Sequence, residues 1–393
     1  MTKPTRPVRV DRWRDAAAKA GVDALLAMKL ENVFHGSGFN AKITSRPPII
    51  VSSPGQDPAL LVNCLRVAPA KEISFLTDIR GYDTWPGFES FAPNWYTAVA
   101  KILTERRAAS GKIGIEGTMT LDDQDLLKKA LPNATFIRVN KTFRDLRMIK
   151  NPDEIANARI AGHFTTIGHA AAVTAIKAGK SEVGIVAAAM AAMNAEWEAK
   201  YPNLDVGAFG SLEAGEHHAL HCWVTAGKRR DYVTTPPTDY VPQRGDLVSV
   251  NFWTTANGCR AEHEQVVYIG NVPNAAENAR KTVFSARAAM FDTLRPGTIL
   301  KDVYEAGWKR YLADGEKPNS APARMGHFIG IGAHEDISIT AQSEVVLQEG
   351  MILTIEPHIV IFDGLLSMYS STIVITKNGY DYITNPIKDA IRV

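Results

Sequence analysis

Residues 250–265 read VNFWTTANGCRAEHEQ. An apolar strand opens on Asn251, a turn containing Gly258 follows, and a second strand carries Glu262, His263 and Glu264 in succession. Both stretches otherwise read as core. A carboxylate isolated in a low-dielectric interior either protonates or finds a cation, so an amide and a run of ionisable groups on two core strands point to the wall of a cleft.

The same interruption recurs downstream. His327 and His334 lie in MGHFIGIGAHE (325–335), and Glu356 lies in LTIEPHIV (353–360). Any one of these alone reads as a half-exposed acid or a satisfied core histidine. Several of them on separate strands of one domain predict a functional cleft.

Composition sets the frame. The 393-residue chain is 45% hydrophobic and 22% charged, with 44 Lys+Arg against 42 Asp+Glu. That balance has no field strong enough to collect nucleic acid or a membrane surface, so a small-molecule substrate is the expected partner. Cys64, Cys222 and Cys259 form no CxxC pair and read as free thiols of a reducing compartment, hence a cytoplasmic protein. The stretch MTKPTRPVRVDRWRDAAAKAGVD lacks an apolar core, so no signal peptide is expected, and no run reaches the length of a membrane span.

Residues 1–150 alternate helical and strand patterns: a helix over Asp11–Ala20, strands in DALLAM, PIIVSS and PALLVN, a helix in NWYTAVAKILTERRAAS and a strand in KIGIEG. This predicts an α/β N-terminal domain. A second domain, 151–393, opens at KNPDEI, where Asn151 can cap, Pro152 suits the first helical position and Glu154 completes a capping box; Gly179 is placed to end that helix. Another helix follows from Ser181, then strands in HALHCWVTAG, DLVSVNFWTT and EQVVYIG. The order of two helices and then strands repeats, with HFIGIG, MILTIEPHIVI and SSTIVIT as the later strands. It predicts an α+β domain built as a pseudo-repeat, its sheets closing around a central cleft.

The segments GDLVSVNF, EHEQVVYIG, GHFIGIGAHE, TIEPHIV and SSTIVITKNG, in that order, resemble the pita-bread superfamily of methionine aminopeptidase, aminopeptidase P, prolidase and creatinase. GVDALLAMKLENVFHGSGF and FRDLRMIKNPDEI resemble the creatinase-type N-terminal domain and its junction. The resemblance implies a pita-bread C-terminal domain. It also implies five ligand positions, held in the metallopeptidase members by Asp, Asp, His, Glu and Glu. Here they are Asn251, Glu262, His327, Glu356 and Ser370. Two divalent ions need bridging carboxylates and near-complete charge compensation, which this set lacks, so neither metal nor other cofactor is expected.

The pattern is closest to the metal-free, creatinase-like branch. Thr234 stands where creatinase has its catalytic His, and Glu335 and Asp336 lie where it binds the substrate carboxylate, so creatine itself is not expected. The expected activity is metal-independent hydrolysis of a non-peptide C–N bond in a small polar or cationic molecule. Glu262, Glu356, His327 and His334 are the expected catalytic residues, His334 being first choice for proton transfer. Asn251, Ser370, His221 and Trp253 are expected to bind substrate; His217 and His218 are further candidates, and strand alternation puts His263 on the opposite face. Trp85, Trp95 and Arg66 are candidates from the first domain. Two alternatives stand beside this. One is a Xaa-Pro-type dipeptidase, aminopeptidase or lyase with one metal on His327, Glu262 and Glu356; the other is a binding module without chemistry. The creatinase-type N-terminal domain implies a homodimer.

Overall fold

A computed structural model describes residues 8–41, 45–207, 209, 218–232, 235–317 and 321–393; Thr234 and His217 lie outside the described residues. The chain divides into two compact units, with the cut between Arg147 and Met148. No helix among the described residues is long and apolar enough to cross a membrane.

The first unit runs α1 (Arg9–Lys19), β1 (Ala24–Ala27), α2 (Leu30–Ser37), β2 (Ile49–Ser52), β3 (Ala59–Asn63) and α3 (Val67–Ile73). It continues β4 (Ile79–Tyr82), α4 (Trp95–Glu105), β5 (Lys112–Ile115), α5 (Leu121–Ala130), β6 (Thr135–Arg138) and α6 (Asn140–Met148). The sheet order is β4-β3-β2-β1-β5-β6, with β1 antiparallel to β2 and parallel to β5. Leu25, Ile50 and Leu60 enter one core while Leu26, Ile49 and Leu61 enter the other. Strands covered on both faces read as unbroken apolar runs, which is why ALLA and IIVS show no alternation. Trp95 packs partly buried against the second of these cores, whereas Trp85 is exposed.

The second unit begins with α7 (Pro152–Lys177) and α8 (Glu182–Lys200), then β7 (Leu220–Ala226), β8 (Leu247–Ala256) and β9 (Cys259–Tyr268). It continues α9 (Asn274–Phe291), α10 (Leu300–Ala313), β10 (Ile352–Ile355), β11 (His358–Ile359), β12 (Ser367–Met368), β13 (Ser370–Thr376), β14 (Gly379–Tyr382) and β15 (Ile391–Arg392). Glu154 accepts the Asn151 backbone N–H at 2.9 Å to open α7, and Gly179, at φ +70°, follows its end.

The strands of the two halves do not form separate sheets. β10, β13, β9, β8 and β7 are neighbours in one sheet, joined across the halves by the β13–β9 pairing. The β8–β9 hairpin turns on Asn257 and Gly258, both at positive φ (44° and 76°), the pairing that a two-residue I′ turn requires. This turn fixes Ala256 opposite Cys259 and therefore every pair behind it.

HFIGIG does not form the expected strand; it makes only isolated bridges, His327 to Ser338 and Phe328 to Leu353. Glycine is the physical reason. Gly326 sits at φ +135°, and a Cβ there would lie 2.2 Å from the Thr354 carbonyl oxygen. The close approach lets Thr354 N–H donate to the His327 carbonyl at 2.7 Å, while Thr354 Oγ1 accepts from His327 N–H at 3.1 Å. His327 is thereby held against β10.

Candidate active site

Strand register assembles the site as two parallel rows on one face of the sheet. His221, Trp253 and Glu262 are cross-strand partners in one row. Trp223, Asn251, Glu264 and Ser370 form the next. Side chains two apart on a strand share a face, and direct cross-strand neighbours touch, so the chemistry is written across β7, β8, β9 and β13.

Glu262, His327 and Glu356 each offer a donor atom within 4.8 Å of the others. His327 Nε2 stands 3.2 Å from Glu262 Oε2 and 3.9 Å from Glu356 Oε2. The other imidazole nitrogen, Nδ1, is 3.1 Å from the Phe328 carbonyl, which accepts its proton and leaves Nε2 for the carboxylates. Ser370 Oγ donates to Glu262 Oε1 at 2.6 Å. Asn251 does not face the trio with a charge: oriented to satisfy its amide, it accepts from Trp223 Nε1 at 3.1 Å and donates to the Val250 carbonyl at 3.3 Å.

The three carboxylates are tuned in opposite directions. Burial works to raise Glu262, but hydrogen bonding and charge from His327, with the Ser370 hydroxyl, hold it below the usual range. Glu356 is pushed up to about 7 by burial and by the charge of Glu262. Glu264 is raised well above the usual carboxylate range by burial and by the charges of Glu356 and Glu262. For His327, burial opposes protonation, and the two glutamates outweigh it to raise the ring. His334 is lowered by burial, then by His327 and Arg324.

The structure brings together Glu262, His327, Glu356, Ser370 and Asn251. His334 stacks at 4.2 Å between centroids on His327 and meets Trp253 edge-on at 5.5 Å. Its Nε2 is approached to 3.5 Å by Arg324 Nη2. His221 is exposed, beside Trp223 and two strands from Glu262. His218 is not in the cleft: its Nε2 pairs at 2.8 Å with Asn194 Oδ1 of α8. His263 faces the other side of the sheet, edge-on to His169 at 5.6 Å. Sequence reasoning named Glu264 in the run on the second strand without giving it a role, and passed over Trp223 and Arg324. Period-2 counting from Glu262 and Asn251 would have found Glu264 and its row, while no local pattern marks Arg324.

Residues 156–377 match metallopeptidase family M24, and residues 9–149 match the creatinase/prolidase N-terminal domain. Among curated relatives, a creatinase of Bacillus sp. is 25% identical over 386 residues, covering 96% of this chain and 89% of the relative. A Xaa-Pro dipeptidase of Pyrococcus horikoshii is 26% identical over 377 residues, 95% of each. The prolidase structure from the same organism superposes with a TM-score of 0.78 at 23% identity, over 98% of this chain and 100% of that one. Together these show the two-domain pita-bread fold and a hydrolase of C–N bonds.

One expectation is overturned. Metal-independent hydrolysis of a non-peptide bond rested on the loss of charge at Asn251 and Ser370, yet Xaa-Pro dipeptidases recur among the relatives across nearly the whole chain. Loss of charge at two of the five positions does not abolish the site, because the three donors of the one-metal alternative still converge. With more than half of its length matched, the chain belongs to metallopeptidase family M24.

Proposed function

We propose that the protein is a Xaa-Pro-type dipeptidase working with one divalent metal ion. The observation that carries this reading is the convergence of Glu262, His327 and Glu356. Two carboxylates compensate a divalent charge, and His327 Nε2 supplies a neutral donor whose tautomer is set by the Phe328 carbonyl. Glu356 Oε2 is buried with no hydrogen-bond partner among the described residues, as suits a group reserved for a cation. A second ion does not fit, because an amide and a hydroxyl stand at Asn251 and Ser370, and the amide is engaged by Trp223. The names of the dipeptidase relatives support a substrate with proline in second position.

When bound, the ion would polarise a peptide carbonyl and acidify water. The chain's own residues do the rest. Ser370 turns Glu262 so that Oε2 faces His327. His334, exposed beside His327 and held neutral, is placed to take a proton from the attacking water at Nε2 and return it to the departing amine. Trp253 and Trp223, edge-to-face at 5.1 Å, give an apolar corner for the substrate's ring. We further propose a cytoplasmic homodimer, in keeping with three free buried cysteines and the creatinase-type first unit.

The test is hydrolysis of Ala-Pro by protein supplied in turn with manganese, zinc or cobalt, with elemental analysis. Proline release that stops on chelation and returns with one equivalent of metal is expected. Turnover by protein free of metal would overturn the proposal, and light scattering at micromolar concentration decides the dimer.

A further inference from the structure

Arg287 of α9 is 3% exposed, and no carboxylate among the described residues forms an ion pair with it. A buried guanidinium without a counter-charge is costly unless its N–H groups are engaged. Arg287 engages them on two strands of the sheet. Its Nη1 donates to the carbonyls of Ile355 at 2.9 Å and Tyr369 at 2.7 Å, and its Nη2 donates to Ser371 Oγ at 2.9 Å. Phe291, one turn along α9, covers the guanidinium carbon with its ring centroid 5.2 Å away.

Each accepting carbonyl immediately precedes a residue of the site: Glu356 follows Ile355, and Ser370 follows Tyr369. Ile355 and Ser371 are the last pair joining β10 to β13. Past that pair the strands part. The Glu356 N–H donates to the Met325 carbonyl at 2.9 Å, and Ser370 pairs with Glu264 on β9. The ladder thus stops fixing the spacing of the two strands where Glu356 and Ser370 leave it, and one nitrogen of Arg287, bonded to both, takes over. Ser370 in turn orients Glu262, so a single guanidinium governs the placement of both carboxylates of the trio. Arg230 is also fully buried and donates to two carbonyls, Gly364 and Leu366, and to Ser249 Oγ. Neither of those carbonyls precedes a residue of the site, which marks the difference between a scaffold clamp and this one.

Resting on the one-metal dipeptidase reading, we propose that Arg287 is a positioning residue that sets the separation of the strands carrying Glu356 and Ser370, and thereby the affinity of the site for its ion. Lysine keeps the charge but lacks the planar fork that reaches all three acceptors at once, so it does not replace arginine here.

The test is calorimetric titration of metal-free protein with manganese, for wild type, Arg287→Lys, Arg287→Met and Val283→Ala, with melting temperatures taken in chelator. Loss of a group that orients metal ligands costs about 10–100-fold in affinity. Arg287→Lys should lose about tenfold and Arg287→Met more. Val283→Ala, a buried change on the same helix that removes no hydrogen bond, should melt lower than wild type yet keep its affinity. Wild-type affinity in a folded Arg287→Lys variant overturns the proposal, and so does an equal loss in Val283→Ala. If Arg287→Met does not fold, the Lys variant decides; a Lys variant that does not fold either marks Arg287 as scaffold and overturns the proposal too. A wild type that binds no manganese would instead sink the dipeptidase reading itself, and this inference with it.

Discussion

The Ser370 hydroxyl donates to Glu262 Oε1 at 2.6 Å, with both side chains buried, and so leaves Oε2 to face His327 Nε2 at 3.2 Å. A hydrogen bond to a ligating carboxylate fixes its orientation, and removing such a partner costs about 10–100-fold in metal affinity. Ser370→Ala should weaken manganese or zinc binding by that factor in calorimetric titration, with the fold intact by circular dichroism. Unchanged affinity would deny Ser370 its positioning role.

Glu356 meets the charge of Glu262 inside a buried site, and its pKa is pushed up to about 7. Replacing it with Gln removes the repulsion. In chelator, Glu356→Gln should melt at the wild-type temperature or about 1–3 °C above it, yet gain nothing from added manganese that stabilises the wild type. A large drop in melting temperature would mark Glu356 as a structural group instead.

Gly326 combines φ +135° with a Thr354 carbonyl 2.2 Å from any added Cβ. Neither strain can be relieved without displacing His327 from β10. Gly326→Ala should cost on the order of 3 kcal/mol in urea unfolding and reduce metal binding as well. A variant with wild-type stability would show that this turn can move freely.

His169 and His263 meet edge-on, and burial depresses their pKa values to about 4 and about 3, with His169 lowering His263 further. A histidine whose folded pKa lies below its unfolded value of about 6.5 contributes fully above that pH, and its contribution is lost as pH falls toward the folded value. For His169 alone the loss between pH 7 and pH 5 is about 2 kcal/mol. His169→Leu should flatten the acid limb of the stability profile by about that amount, measured by urea unfolding at the two pH values. An identical slope in the variant would place the acid sensitivity elsewhere.

The hairpin core was legible because apolar runs, an Asn-Gly turn and interrupting polar residues are all local signals. The capping box at Asn151 and the stop at Gly179 were legible for the same reason. β4 and β6 escaped notice: IRGY is short and broken by Arg80 and Gly81, and TFIR lies at the sheet edge with little burial. HFIGIG looked like a strand by composition, but its glycines serve close backbone approach, a tertiary demand that no pattern announces. The trio of donors could be named from sequence. Its convergence could not, since distances across β9, β10 and the His327 loop depend on how strands from both halves join one sheet.

The Asn257-Gly258 turn acts as a ruler for the whole site. Because it sets which residue of β8 faces which of β9, one inserted or deleted residue there would turn one strand's set of side chains to the opposite face. Glu262 and Glu264 would part from Trp253 and Asn251 together. Substitution at these positions, by contrast, leaves the ruler untouched. A sheet of this kind can exchange amide for acid, or hydroxyl for carboxylate, one strand at a time. Chemistry on this sheet is therefore open to change through residue identity, so long as the length of the two-residue turn stays fixed.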